Sequence, residues 1–135
     1  MSSSGVDLQE AKRVLTIEAK AINDLASRLD NSFTKAVELI LKCKGRVVLT
    51  GMGKSGIIAR KIASTMSSTG TPAMYVHPAE SSHGDLGMIS SGDVIMALSY
   101  SGETAELASV LRYALRKGIS VIGMTGNTKS QLAQA

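Results

Sequence analysis

The sequence predicts a three-layer α/β/α domain built on a parallel sheet of four strands. Three observations lead there. Four short, largely apolar runs, 47–50, 73–76, 94–98 and 119–124, are bounded by turn residues, as strands buried on both faces should be. Helical patterns at 55–68 and 103–117 join the first run to the second and the third to the fourth. Turns rich in glycine and hydroxyls follow the first and third runs. Such alternation demands right-handed crossovers, with helices covering both faces of the sheet.

Each element has its own local warrant. In 7–29, Leu8, Ala11, Leu15, Ala19, Ile22, Ala26 and Leu29 recur at helical spacing. Asp30-Asn-Ser32 stops that helix and caps a second, with Phe33, Val37, Ile40 and Leu41 on its inward face, ended by Lys44-Gly45. Helix 55–68 should turn Ile58, Ile62 and Met66 inward. Helix 103–117 should do the same with Leu107, Leu111 and Leu115, and Gly118 is its expected C′ residue. Residues 77–92 form a polar connector. Residues 129–135 begin a helical pattern, so the domain expected over 1–135 is incomplete at its C-terminus. The last strand then presents an edge that needs a cover. That edge and the apolar stripe of the first helix predict a homo-oligomer.

Bulk properties narrow the function. A chain of 135 residues suits one domain. No apolar run approaches the ~18 residues of a membrane span, so no membrane partner is expected. The start has no basic stretch followed by an apolar one, and the single Cys43 forms no internal disulfide; both point to the cytoplasm. Cys43 lies between Lys42 and Lys44 and suits either a reactive thiol or a small core residue. Net charge is +4, with basic residues scattered and only three Tyr and one Phe among the aromatics, which does not suit a nucleic-acid partner. An anionic small molecule fits better.

The turn after the third strand, Ser99-Tyr-Ser-Gly-Glu-Thr104, carries the most chemistry. A helix N-terminus offers unpaired N–H donors and the positive end of the macrodipole. Hydroxyls from Ser99, Ser101 and Thr104 would complete an anion site, most simply for a phosphate monoester. Plain helix capping by Ser101 explains the same residues. The turn after the first strand, Gly51-Met-Gly-Lys-Ser-Gly56, adds Gly53, Ser55 and a cation, Lys54. If the strand order is 2-1-3-4, both turns flank the switch point of the sheet and face each other across one crevice. Two better-known motifs fail here. A Walker A loop needs a further glycine where Val48 stands. The dinucleotide fingerprint is matched by Gly51, Gly53 and Gly56, but the second strand ends in His77-Pro78 rather than in a ribose-binding acid.

His77-Pro-Ala-Glu-Ser-Ser-His-Gly-Asp-Leu-Gly87 is rich in reactive side chains for a connector. His77, Glu80, His83 and Asp85 could ligate a metal, but their spacing matches no standard helical pair, and no metal is expected. Helix capping would also account for Ser81 and Asp85. His83, within Ser-Ser-His-Gly-Asp, is the better acid–base candidate, since histidine titrates near neutral pH.

Taken together, Gly51-Met-Gly-Lys-Ser-Gly56, Ser68-Thr-Gly-Thr-Pro72, Val76-His-Pro-Ala-Glu80, His83-Gly-Asp-Leu-Gly-Met88 and Ser99-Tyr-Ser-Gly-Glu-Thr104 resemble the sugar isomerase (SIS) domain of arabinose 5-phosphate isomerases of the KdsD/KpsF type. The resemblance spans the chain from the leading helix to Gly126. It implies a flavodoxin-like sheet of five strands and reversible conversion of D-ribulose 5-phosphate to D-arabinose 5-phosphate. That reaction feeds the eight-carbon sugar acid (KDO) of lipopolysaccharide or capsule. It further implies no redox cofactor and a tetramer with sites at subunit interfaces. Ser55, Ser99, Ser101 and Thr104 would hold the phosphate, with Gly53 beside them. Lys54, His83 and Glu106 would lie around the sugar carbons. The family continues with a fifth strand, a further glutamate, a His-Pro-Gly-Gly segment with an active-site histidine, and usually paired CBS domains. None of these lies within the 135 residues, so weak or absent isomerase activity is expected of them alone.

An aldose–ketose isomerase needs a base to move a proton between C1 and C2 and an electrostatic partner for the enediolate oxygen. Glu106 suits the base if buried one turn into its helix, and suits an orienting role equally well. The histidine beyond these residues is an equal candidate for the base. Lys54 suits the enediolate or the phosphate, and His83 a proton shuttle between sugar hydroxyls. The rival reading is a regulatory domain that binds a sugar phosphate without catalysis.

Overall fold

A computed structural model of the chain describes residues 4–81 and 84–135. They belong to two compact units, 1–35 and 36–135. The first holds α1 (Ser4–Arg28) and the opening turn of α2 (Asn31–Lys42). Exposed pairs at helical spacing, Arg13 with Glu10 and Lys20 with Asp24 at 2.8 Å, run along α1. As the sequence predicts, Asp30 caps α2. Its Oδ1 accepts from the Ser32 hydroxyl at 2.6 Å and from the Ser32 N–H at 2.8 Å, and these bonds hold the carboxyl below its ordinary range.

The second unit is the α/β domain. Its elements are β1 (Val47–Gly51), α3 (Gly53–Ser68), β2 (Ala73–Tyr75), α4 (Pro78–Ser81), a 3-10 turn (Asp85–Met88), β3 (Val94–Leu98), α5 (Leu107–Lys117), β4 (Ser120–Met124) and α6 (Gln131–Gln134). All strand pairs are parallel, in the order β2-β1-β3-β4. The chain steps outward from β1 to β2 in one direction and from β3 to β4 in the other. Right-handed crossovers then place α3 and α5 on opposite faces. Val47, Leu49, Met96 and Leu98 pack with Ala59 and Ala63 of α3, and Ile40 of α2 lies against the same cluster. Val48, Ile95 and Ala97 pack with Leu107, Val110 and Ala114 of α5, with Ile89, and with Leu132 of α6. Every residue of β1 and β3 is buried, as central strands covered on both sides require.

The N-terminal edge of the sheet is fastened by Asp93. One carboxylate oxygen accepts from Arg46 N–H at 2.7 Å and the other from Ser90 N–H at 2.8 Å. Gly45 passes so close that any Cβ there would strike Asp93 Oδ1.

Several helix faces differ from expectation. Val37 and Leu41 of α2 are exposed, as are Ile58 of α3 and Leu115 of α5. Small residues, Ala59, Ala63 and Ala114, occupy the innermost positions instead, which brings the helices close to the sheet. Helix α5 starts four residues later than 103, because Thr104–Ala108 first makes two tight turns, Leu107 N–H to Thr104 O and Ala108 N–H to Ala105 O. The polar connector holds α4 and the 3-10 turn. Among the described residues, no helix is long and apolar enough to cross a membrane.

Candidate functional site

The sheet's order reverses between β1 and β3, and their C-terminal ends lie side by side, Gly51 paired with Leu98. In an open α/β sheet that is where ligands bind. The turn after each strand leads into a helix. Neither helix has a side-chain cap: Met52 precedes α3 and Glu106 precedes α5 without capping hydrogen bonds. Two helix N-termini with their positive dipole ends therefore rise from adjacent strands.

After β3 the three predicted hydroxyls come together. Ser99 Oγ lies 2.7 Å from Thr104 Oγ1 and 3.5 Å from Ser101 Oγ. Ser99 is buried and accepts from Gly102 N–H at 3.0 Å, while Ser101 is exposed and accepts from Glu103 N–H at 3.2 Å. Gly102 has φ +70° and packs against Ser130 and Thr125 so closely that a side chain would collide with both. The loop is laced to the start of α6: Gly102 O accepts from Leu132 N–H at 3.1 Å, and Glu103 Oε1 from Gln131 N–H at 2.9 Å.

After β1, Gly53 (φ +54°) opens α3, with Lys54 exposed and Ser55 half-buried in its first turn. Gly56 is buried; a Cβ on it would sit 2.5 Å from Gly51 O and 2.8 Å from the Tyr75 hydroxyl. That hydroxyl donates to Gly51 O at 2.8 Å, and the Arg60 guanidinium stacks 4.2 Å over the Tyr75 ring. Burial pushes the Tyr75 phenol upward against the opposing pull of Arg60. Tyr75 thus pins the turn that carries Gly53, Lys54 and Ser55. Sequence reading missed this residue, although a tyrosine in a short apolar strand needs a partner for its hydroxyl.

Glu106 is exposed and stands just before α5 rather than one turn within it, so the burial expected of it is not found. His83 lies outside the described residues. Among those described, no group of three or more His, Cys, Asp and Glu stands close enough to hold a metal ion. Cys43 is half-buried and donates to Gly92 O at 3.3 Å, in a shallow depression of about 270 Å³ at the opposite, N-terminal edge of the sheet.

Residues 40–135 match the SIS domain. The chain belongs to the SIS domain family. It is 52% identical over 128 residues to arabinose 5-phosphate isomerase KdsD of Pseudomonas aeruginosa, covering 95% of this chain and 39% of that protein. Against KdsD of Shigella flexneri the identity is 46%, over 97% of this chain and 40% of the relative. The chain thus spans about two fifths of the length of the curated relatives it matches. An Escherichia coli CFT073 protein solved in complex with arabinose 5-phosphate superposes with a TM-score of 0.92 at 39% identity, covering 99% of this chain and 71% of that one. The four-stranded parallel α/β architecture described above matches the corresponding part of that solved structure.

Proposed function

We propose that this chain forms the sugar-phosphate-binding part of an aldose–ketose isomerase that interconverts D-ribulose 5-phosphate and D-arabinose 5-phosphate. The observation that carries the reading is the cluster of Ser99, Ser101 and Thr104 hydroxyls beside an uncapped helix N-terminus, one strand away from the turn bearing Lys54. A phosphate dianion matches such an array of donors and positive dipole ends. The likeness to KdsD and to a protein solved with arabinose 5-phosphate supports the choice of ligand.

In this reading Ser55, Ser99, Ser101 and Thr104 hold the phosphate, and Gly53 lets the backbone approach it. Lys54 supplies positive charge to the enediolate oxygen. Glu106 lies by the sugar carbons, as the base or as the residue that orients the sugar for the histidine beyond these residues, and His83 carries the matching proton between the two sugar oxygens. The product would serve lipopolysaccharide or capsule synthesis in the cytoplasm, from a homo-oligomer such as a tetramer.

The test is to give the full-length protein D-ribulose 5-phosphate in D2O and follow the sugar by proton NMR. Arabinose 5-phosphate carrying deuterium at C2 is expected, because a single base that moves the proton exchanges it with solvent. Lys54→Ala, His83→Ala and Glu106→Gln should lower turnover while leaving sugar-phosphate binding largely intact. Binding without turnover would favour the regulatory reading, and absence of binding would sink both.

A further inference from the structure

One peptide group reaches from α6 to the hydroxyl cluster. The carbonyl of Gly102 accepts from Leu132 N–H at 3.1 Å, and the N–H across the same peptide bond, that of Glu103, donates to Ser101 Oγ at 3.2 Å. A peptide unit is planar, so a tilt that breaks one bond misdirects the other. Ser101 Oγ accepts in this pair, which leaves its own proton to donate to a ligand. The Glu103 side chain ties the same turn to α6 a second time, because its Oε1 accepts from Gln131 N–H at 2.9 Å.

Helix α6 depends on the turn in return. Its four residues are too few to hold a helix unaided. Leu132 is its one buried side chain. The first three N–H groups of α6 are all taken: Gln131 by Glu103, Leu132 by Gly102 and Ala133 by the Ser130 hydroxyl. Two of those three acceptors belong to the anion turn. Glu103 is otherwise out of place there. It is exposed, and its charge opposes a bound anion. The bond to Gln131 gives that carboxylate a use.

We propose that Glu103 is a positioning residue for the sugar-phosphate site: its carboxylate latches α6 onto the 99–104 turn, so that docking of α6 and binding of the phosphate strengthen each other. The inference rests on the sugar-phosphate reading above and gives Glu103 no contact with the ligand. Coupling of this kind is reciprocal. Where a docked α6 favours the ligand, the ligand favours a docked α6 by the same factor.

The test uses the full-length protein and D-arabinose 5-phosphate. Amide hydrogen exchange is followed at Gln131 and Leu132 with and without the sugar phosphate. Affinity is measured by calorimetry for wild type, Glu103→Ala and Glu103→Gln. In wild type, saturating ligand should slow exchange at both amides by about fivefold or more. Glu103→Ala should bind about fivefold more weakly. Glu103→Gln keeps an acceptor oxygen at the same reach and drops the charge, so it should bind as tightly as wild type or more tightly. Unchanged affinity in Glu103→Ala overturns the inference. So does an equal loss in both variants, which would mean that the charge acts rather than the latch. Exchange at Gln131 and Leu132 that ignores the ligand overturns it too, and that comparison needs no substitution to fold. Slowing shared equally by the Arg46 amide, bonded to Asp93 at the opposite edge of the sheet, would be general stabilisation and overturns it as well. A wild-type protein that binds no pentose 5-phosphate overturns the sugar-phosphate reading and this inference with it. Normal binding beside ligand-indifferent exchange in α6 overturns the inference alone.

Discussion

Ser99 Oγ and Thr104 Oγ1 stand 2.7 Å apart although they are five positions apart in the chain. The tight turn between them converts a strand end and a helix start into one donor surface. Thr104→Val keeps the shape and removes one donor. A hydrogen bond to a charged group is worth about 1.5–3 kcal/mol, so sugar-phosphate affinity should fall at least tenfold. Ligand-free stability should change little, because Ser99 still accepts from Gly102 N–H. Calorimetric titration with D-arabinose 5-phosphate and a thermal melt check the two halves separately.

Gly102→Ala should be far more damaging than its size suggests. The residue holds φ +70°, and its missing Cβ is where Ser130 and Thr125 pack. Backbone strain of this kind costs about 1–3 kcal/mol, and the collision adds to it. Denaturant unfolding should show the loss, and sugar-phosphate binding should weaken with it. A stable Gly102→Ala protein with normal affinity would mean that the loop does not need its close packing against α6.

Tyr75→Phe removes the bond to Gly51 O, at a cost of about 1 kcal/mol at neutral pH. The phenol's pKa is raised by burial, so its contribution is intact below the unfolded value of 10.0 and declines as pH climbs from there through the raised folded value. The advantage of wild type over Tyr75→Phe should therefore shrink on the alkaline side. Urea midpoints of both proteins at pH 7 and above pH 10 measure it.

Asp93→Ala leaves two backbone donors, on Arg46 and Ser90, without their acceptor at a buried position. A loss of about 2–4 kcal/mol is expected, from two hydrogen bonds and the cost of leaving their donors unpaired. Because Asp93 lies at the sheet edge remote from the hydroxyl cluster, affinity for a sugar phosphate in the folded population should stay within about twofold of wild type. Equilibrium unfolding and titration below the melting point test this.

The architecture was legible in the sequence because its signals are local. Four apolar runs, the alternating helical patterns, Gly118 with φ +64° ending α5 and the Asp30 cap each need only a few neighbouring residues. The strand order entered the sequence reading only as a condition, and the structure meets it. Helix faces were less legible. Periodicity favours large side chains such as Ile58 and Leu115, whereas close helix–sheet packing selected Ala59, Ala63 and Ala114. In the site, the hydroxyl cluster was readable from one turn of sequence. The braces that shape it were not, because Tyr75 with Gly51 and Glu103 with Gln131 are joined across 24 and 28 positions.

The lacing of the 99–104 turn to α6 also sets a time order. During synthesis, Glu103 emerges well before Gln131, whose N–H its carboxylate accepts, and Gly102 emerges before Leu132, whose N–H its carbonyl accepts. Until that later stretch of polypeptide has left the ribosome, the turn lacks the contacts that fix its left-handed glycine. A nascent chain would then carry all three hydroxyls and still grip an anion poorly. Competence to bind would arrive in one step as α6 docks, rather than growing with each strand added.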